Sequence, residues 1–364
     1  GSEIKYIFNI DKRSQLKELN INQIYKYLNL GYKSLNKKNY TYFKKIRKFP
    51  SGTSLTINLT KNSLKFKKFY DQKSLGSKNF PRKIAEEEHV ENIKFLLQES
   101  IKKRLRADVP LAFCLSGGID SGALVSIATK EFNIQPNCYS IIDKDKRYDE
   151  EKNIDLVHRD TNCKLQKIYI DEDENFLNHL ESLVKYHDSP ISTISYYAHS
   201  KISQKAAKDE HKVILSGTGA DEIFTGYYDH HLFHLAELKN SNDKCFRKNL
   251  KYWKMFIKPN VRNSFLKEPS FFFKNGNFRK HIYINNNIIK NFFIKTKFEK
   301  FQEKKLSKSN LKNRMLNELF YESVPVILKE DDLNSMYNSI ENRSPFLDKK
   351  LIEYLFSVPT KFFI

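Results

Sequence analysis

The sequence predicts an α/β fold with a parallel sheet, followed by a helical C-terminal part and preceded by a smaller α+β segment. Four short apolar runs have the length of buried strands, at 111–115, 137–142, 165–170 and 211–215. Segments with apolar residues at helical spacing separate them, at 121–132, 149–162, 174–187 and 194–207, and a further helix begins at 221. Because strands that alternate with helices pair in parallel through right-handed crossovers, this order predicts one parallel sheet.

The flanking segments have patterns of their own. Residues 21–28 predict a helix, 54–59 and 64–70 predict a hairpin between polar turns, and 84–105 predict one long helix. Beyond residue 235 the pattern is helical. We therefore expect two domains, at residues 1–75 and 80–364.

Composition narrows the functional class. The 364 residues are 40% apolar, which is enough for two globular units with buried cores. No run of 18 uncharged apolar residues exists, so we expect no membrane partner. Four scattered cysteines without metal-binding spacing predict a reducing, cytoplasmic location. The net charge of +21 comes from lysines spread along the whole chain, so we expect no nucleic-acid partner.

A glycine-rich motif follows the first predicted strand, with the sequence Leu115-Ser116-Gly117-Gly118-Ile119-Asp120-Ser121. The paired glycines can direct backbone N–H groups at an anion, and the start of the next helix adds partial positive charge. Two serine hydroxyls can donate further hydrogen bonds. The carboxylate would repel a bare phosphate, which indicates a bridging Mg²⁺. A plain strand-to-helix turn is the alternative for such a motif alone.

Two later segments make that alternative less attractive. Residues 213–222, Val-Ile-Leu-Ser-Gly-Thr-Gly-Ala-Asp-Glu, repeat the order of apolar strand, glycine turn and paired acids. We expect this second turn to face the first across the carboxyl ends of neighbouring parallel strands, so that Asp120 and Asp221 reach one Mg²⁺. The third segment, 335–348, is dense in polar groups and contains Glu341-Asn342-Arg343-Ser344-Pro345.

Together, these three segments resemble the synthetase domain of the class B, glutamine-dependent asparagine synthetases, a branch of the ATP pyrophosphatase (PP-loop) family. The resemblance spans roughly residues 80–360. Residues 1–75 resemble the last third of the glutaminase domain that precedes it in this family, although no nucleophilic cysteine stands at position 1. We therefore interpret the chain as an internal piece of a longer protein.

The resemblance implies a set of site residues. ATP and Mg²⁺ are the implied cofactors, with a small-molecule carboxylate as substrate, ammonia made from glutamine by a glutaminase domain as the nitrogen source, and a homodimer as a candidate assembly. The implied nucleotide-binding residues are Leu115, Ser116, Gly117, Gly118, Asp120, Ser121, Ile141 and Gly217. The implied metal ligands are Asp120 and Asp221, the substrate-binding residues Asp188, Gly219, Asp221 and Arg343, and the catalytic residues Asp120, Thr218, Asp221 and Glu222.

Thr218 departs from the family pattern. Asparagine-forming enzymes have glutamate at this position, where a carboxylate can accept a proton as the amide forms. Threonine cannot act as a base near neutral pH. Adenylation is therefore expected to persist, while the acid that is amidated is open between aspartate, a sugar uronate and a peptide or β-lactam-type precursor. A catalytically degenerate nucleotide-binding homologue is the non-enzymatic alternative.

Three other features have structural as well as functional interpretations. The acidic pair Asp149-Glu150 suits a helix N-terminus as well as a nucleotide site. Arg343 suits a substrate carboxylate or an internal salt bridge to Glu341 or Asp348. The histidines at 230, 231 and 234 form a cluster for which we expect no metal, because no cysteine or matching acid accompanies it in sequence.

Overall fold

In the computed structural model, residues 3–10, 14–77, 84–145, 149–170, 175–241, 243–282 and 301–364 are described. The chain divides into two compact units. We call Phe80–Phe224 with Val326–Val358 the sheet unit, and Gly1–Asn79 with Thr225–Pro325 and Pro359–Ile364 the hairpin unit.

The strands confirm the predicted α/β class. In chain order they are β1 (Thr53–Asn58), β2 (Ser63–Lys68), β3 (Leu111–Cys114), β4 (Asn137–Asp143), β5 (Lys164–Ile170), β6 (Val213–Leu215) and β7 (Glu341–Arg343). The first two form the predicted antiparallel hairpin. The sheet unit contains a five-stranded sheet in the order β5-β4-β3-β6-β7, with every neighbouring pair parallel.

The helices occur close to their predicted positions. In chain order they are α1 (Ile4–Ile10), α2 (Ile21–Leu30), α3 (Glu86–Arg104), α4 (Ile119–Lys130), α5 (Glu151–Thr161), α6 (Phe176–His187), α7 (Ser195–Lys208), α8 (Ala220–Phe224), α9 (Tyr228–Ser241), α10 (Asp243–Tyr252), α11 (Ser270–Lys274), α12 (Asn310–Asn317), α13 (Val324–Tyr337) and α14 (Lys349–Leu355). Among the residues described, no helix combines the length and the apolar character needed to cross a membrane.

Packing in the sheet unit follows from apolar side chains on the strands and on α7. Helix α7 packs against β4 and β5, while α4 contacts α3 and α5. One cluster of this core joins β3, β4, β6 and α7, and its buried members are Ala112, Tyr139, Ile202, Ala206, Ile214 and Ile340. Because the sheet is parallel, the carboxyl ends of β3 and β6 lie side by side at one edge.

Strand β7 corrects the expectation of a mainly helical chain beyond residue 235. Its three residues pair in parallel with β6, with Leu215 opposite Arg343. The strand contains only polar and charged residues, so it has no apolar run that would mark a strand in the sequence. Its pairing places the polar third segment at the same sheet edge as the second glycine turn.

Candidate active site

The first glycine turn leaves β3 and packs against the start of α5. Gly117 has a φ of +76°, a left-handed conformation that favours glycine. A Cβ at this position would lie 2.9 Å from the Glu150 carbonyl oxygen and 3.2 Å from the Asn153 Cβ. Asp149 accepts a hydrogen bond from the Glu151 N–H at 2.9 Å, in the manner of a residue at a helix start. The acidic pair therefore has a structural role beside this turn.

Serine hydroxyls hold the turn together. Ser121 Oγ accepts the Ser116 N–H at 3.0 Å and donates to the Gly118 carbonyl at 3.2 Å. The two hydroxyl oxygens lie 3.1 Å apart. Helix α4 begins at Ile119, and Gly118 before it provides no side-chain cap. The first N–H groups of a helix lack partners within the helix, so this end of α4 suits an anion such as a phosphate.

The second glycine turn touches the first. A Cβ on Gly217 would lie 3.2 Å from both the Asp120 Cβ and the Ser121 N, so only a glycine allows this close approach without a shift. Because β3 and β6 are neighbours, with Phe113 opposite Leu215, both turns follow adjacent strand ends. From β3 the chain goes on to β4, and from β6 it later reaches β7, so the strands that follow lie in opposite directions along the sheet. This is the topological position at which open α/β sheets bind ligands.

Two carboxylates interact across these turns. Burial, and then the negative charge of Asp221, raise the pKa of Asp120 to about 6. A pair of acids whose charges oppose each other is stabilised by a cation, and carboxylate oxygens are the donors that Mg²⁺ prefers. The donor set therefore fits Mg²⁺, with phosphate oxygens and water to complete the coordination.

The remaining residues of the two turns surround this pair. Gly219 has a φ of +94°, and a side chain there would overlap Leu347. Glu222 and Leu115 are each only 1% exposed, and Ile141 is half-buried near the carboxyl end of β4. The structure thus groups the nucleotide-binding residues expected from the sequence at one sheet edge, while their individual roles stay predictions.

Arg343 has several partners within the sheet unit. Its Nε donates to Glu341 at 2.7 Å, and its Nη1 donates to the carbonyl oxygens of Arg104 and Arg106 at 2.7 and 2.9 Å. Its own carbonyl accepts the Ser216 N–H at 3.0 Å. The internal salt bridge considered from the sequence is therefore present, and contact with a substrate stays a prediction.

Asp188 ends α6 in a left-handed conformation with a φ of +51°. Helix α13 faces this segment, because Lys329 Nζ donates to Ser189 Oγ at 2.7 Å and Glu330 accepts from Ser192 Oγ at 2.8 Å. Burial lowers the pKa of Lys329, and the negative charges of Glu330 and Asp188 only partly offset this. The expected substrate-side acid thus lies within electrostatic reach of a half-buried lysine.

Sequence reasoning missed the surroundings of Thr218. Its Oγ1 accepts from Ser216 Oγ at 3.0 Å and donates to Asp331 Oδ2 at 3.4 Å. The other oxygen of this carboxylate, Oδ1, lies 3.1 Å from His199 Nδ1. The negative charge of Asp331 also adds to the burial that raises the pKa of Cys114 to about 12. An acid and a histidine therefore stand beside the position that lacks the family glutamate.

The histidine cluster belongs to the hairpin unit. Asp229, His230 and Glu318 lie close enough together to hold a metal ion. However, Arg314 Nε lies 3.1 Å from Asp229 and its Nη2 lies 2.6 Å from Glu318, while His230 Nε2 is 2.6 Å from the second Glu318 oxygen. The arginine already neutralises these carboxylates, which gives the cluster an ion-pair role.

Two glycine turns at the carboxyl ends of adjacent parallel strands, with two acids whose charges interact, form the arrangement that the sequence predicts for an ATP pyrophosphatase domain. The family model described as asparagine synthase matches residues 92–364. The chain belongs to the asparagine synthase family.

Individual relatives are more distant. The chain is 30% identical over 189 residues to the glutamine-hydrolyzing asparagine synthetase 1 of Bacillus subtilis, covering 50% of this chain and 27% of the relative. It is 25% identical over 297 residues to asparagine synthetase 3 of the same organism, covering 74% and 42%. It is 28% identical over 179 residues to the amidase chyE of Penicillium rubens, covering 43% and 26%. The chain thus spans less than half the length of each of these relatives.

Proposed function

We propose that this chain forms the synthetase part of an ATP-dependent carbon–nitrogen ligase, which adenylates a substrate carboxylate and then forms an amide with ammonia derived from glutamine. The observation that carries this proposal is the contact between the two glycine turns, with Asp120 and Asp221 close enough for their charges to interact. Membership of the asparagine synthase family supports the reaction class.

The chemistry suits these residues. The substrate carboxylate attacks the α-phosphorus of ATP, the bond to the bridging oxygen breaks, and pyrophosphate leaves with the electron pair. The N–H groups at the start of α4 bind the leaving pyrophosphate, and they cost little reorganisation because the hydroxyls of Ser116 and Ser121 already hold the turn in place. Asp120 and Asp221 would hold Mg²⁺, which supplies further neutralisation of the phosphate charge.

The proposal that glutamine supplies the ammonia depends on the N-terminal residues. We propose residues 1–75 as the end of a glutaminase domain, whose helix α2 and hairpin β1-β2 accord with the expected α+β pattern. Both Bacillus subtilis relatives have names that describe them as glutamine-hydrolyzing. Ammonia would then reach the adenylated acid from that domain.

A second candidate is amidation of an acid other than aspartate. Thr218 favours it, because the loop lacks the carboxylate of asparagine-forming enzymes and instead contacts Asp331. The relative named amidase chyE shows that a protein with another name has a similar sequence over part of this chain. Sugar uronates and peptide or β-lactam precursors are therefore candidate acids beside aspartate.

The test is release of pyrophosphate by the full-length protein with ATP, Mg²⁺ and a panel of carboxylates. Aspartate, galacturonate and a β-amino acid represent the three substrate classes. We expect one class to stimulate release, and Asp120→Asn to abolish it. Asp160→Asn is the matched control, because Asp160 lies on the exposed surface of α5 in a pair with Lys130. Release that no acid stimulates, or that Asp120→Asn leaves intact, would contradict the proposal.

A further inference from the structure

His199 and Asp331 form a histidine–carboxylate pair between two helices. It lies on α7, and its side chain is 48% exposed, whereas that of its partner Asp331 on α13 is 9% exposed. The carboxylate therefore anchors the ring at Nδ1 from the buried side. Because Asp331 holds Nδ1, Nε2 is the ring nitrogen that can exchange a proton.

The hydrogen bond to Asp331 fixes the tautomer of the neutral ring. Since an ionised carboxylate only accepts, the 3.1 Å contact requires Nδ1–H of His199 to donate to Asp331. Neutral His199 then has an unprotonated Nε2, which is a base. Partial desolvation alone would lower the pKa of His199, but the hydrogen bond and the charge of Asp331 raise this pKa above its ordinary value. An imidazole oriented in this way by a carboxylate is a common general base.

Asp331 connects this histidine to the second glycine turn. One of its oxygens holds the ring, and the other accepts from Thr218, which in turn accepts from Ser216 at the end of β6. The hydrogen bonds thus run from the sheet edge, through Thr218 and Asp331, to the ring of His199. This connection exists because position 218 is a threonine: a glutamate there would set a second negative charge against Asp331.

We propose that His199, oriented by Asp331, accepts the proton of the nitrogen nucleophile when the amide forms, in place of the absent glutamate at position 218. This inference rests on the proposed function. The nitrogen of ammonia bonds to the acyl carbon of the adenylate, and the carbon–oxygen bond to AMP breaks. AMP leaves with the electron pair, and the proton from nitrogen passes to Nε2 of His199. The charge of Asp331 stabilises the imidazolium that results.

The experiment separates the two half-reactions in the full-length protein. Exchange of labelled pyrophosphate into ATP, with the carboxylate panel, measures adenylation. Release of AMP with ammonium chloride measures amide formation. His199→Asn removes the base while its amide N–H₂ can still donate to Asp331. General-base catalysis contributes about 10²- to 10⁴-fold, so we expect AMP release to fall about 100-fold or more. Exchange should stay within about threefold of wild type.

Hydroxylamine provides a rescue test. It is neutral and more nucleophilic than ammonia near pH 7, so it depends less on a base. It should restore product formation in His199→Asn and in Asp331→Asn to about one tenth of the wild-type rate or better, on the scale of the loss that general-base removal causes. His158→Gln is the matched control, because His158 lies on α5 and contacts the backbone of Cys163. This control should behave as wild type in both assays.

Each other outcome decides against the inference in a different way. If the His199→Asn variant releases AMP with ammonium at the wild-type rate, the inference is overturned, whereas the proposed adenylation is not affected. Equal losses of exchange and AMP release would assign His199 to folding or adenylation, and would also overturn it. If no acid of the panel supports pyrophosphate exchange by the wild-type protein, the proposed function itself fails and the inference falls with it. As an independent check, ¹⁵N spectra should show His199 protonated at Nδ1 when neutral, and the opposite tautomer would contradict the geometry.

Discussion

Replacement of Gly117 in the first turn by alanine should destabilise the sheet unit, whereas the same replacement of Gly118 should have little effect. Gly117→Ala forces an L-residue to a φ of +76° and brings its Cβ to 2.9 Å from the Glu150 carbonyl oxygen. Gly118→Ala is the matched control. The backbone there has a φ of −75° and a ψ of 159°, which any residue adopts, and the nearest atom to a Cβ is Ser116 Oγ at 3.3 Å.

The expected magnitudes follow from these geometries. The left-handed conformation costs about 1–2 kcal/mol for a residue with a Cβ, and crowding against backbone costs about 1–3 kcal/mol. Lower entropy of the unfolded chain offsets about 0.4–1 kcal/mol. The free energy of unfolding should therefore fall by about 3 kcal/mol in Gly117→Ala. For Gly118→Ala, the loss of a glycine at the helix N-cap should cost less than about 1 kcal/mol.

Urea denaturation followed by circular dichroism measures both changes, and calorimetric titration with Mg·ATP measures the effect on binding. Gly117→Ala should also weaken nucleotide binding, because the turn can relieve the close contact only by moving away from α5. Equal stability losses in the two variants would refute the argument that backbone conformation and the Glu150 contact require glycine at position 117. So would full stability of Gly117→Ala.

Further predictions concern charged groups. Burial and the charge of Asp221 raise the pKa of Asp120 to about 6, so protons compete with Mg²⁺ at this carboxylate. Calorimetry should therefore show the affinity for Mg·ATP falling as the pH drops from about 7.5 to about 5.5. The Asp120→Asn variant should lack this pH dependence. Arg314→Met leaves buried carboxylates unpaired and should cost about 3–5 kcal/mol in urea denaturation, whereas the exposed Arg247→Met should cost less than about 0.5 kcal/mol. Arg343→Ala should lower the melting temperature, since two backbone carbonyls lose a donor; a rise in KM for the acid with unchanged melting temperature would instead support substrate contact.

Local patterns were enough to predict most of the sheet unit. Apolar runs of five or six residues bounded by glycine or polar turns overlap β3, β4, β5 and β6, because buried parallel strands need continuous apolar residues. The glycine turns were recognisable for a similar reason. A left-handed φ at Gly117 and Gly219 and the close approach at Gly217 each require a residue without a Cβ, and such residues stand out in a chain with 11 glycines.

Contacts between distant polar residues could not be predicted in this way. His199 and Asp331 are 132 residues apart, and each lies on a helix whose sequence gives no sign of the other. Strand β7 has no apolar run and forms only because β6 offers it a partner. The buried ion pairs of Arg314 were missed as well, since a charged residue in an amphipathic helix is ordinarily assigned to the solvent.

In the proposed reaction, the separation of the site into two parts explains how position 218 can change without loss of adenylation. Adenylation depends on backbone N–H groups, hydroxyls and the acids that follow the glycines, and none of these is the side chain at position 218. Proton transfer in the second half-reaction depends on whatever base that side chain offers or supports. Thr218 contacts Asp331, which belongs to α13, and through it His199 on α7. In this proposal, the base can move from the loop to the neighbouring helices while the strand ends that we propose bind the phosphates stay as they are. On this argument, Thr218→Glu should reduce AMP release with ammonium more than pyrophosphate exchange, because its charge opposes Asp331.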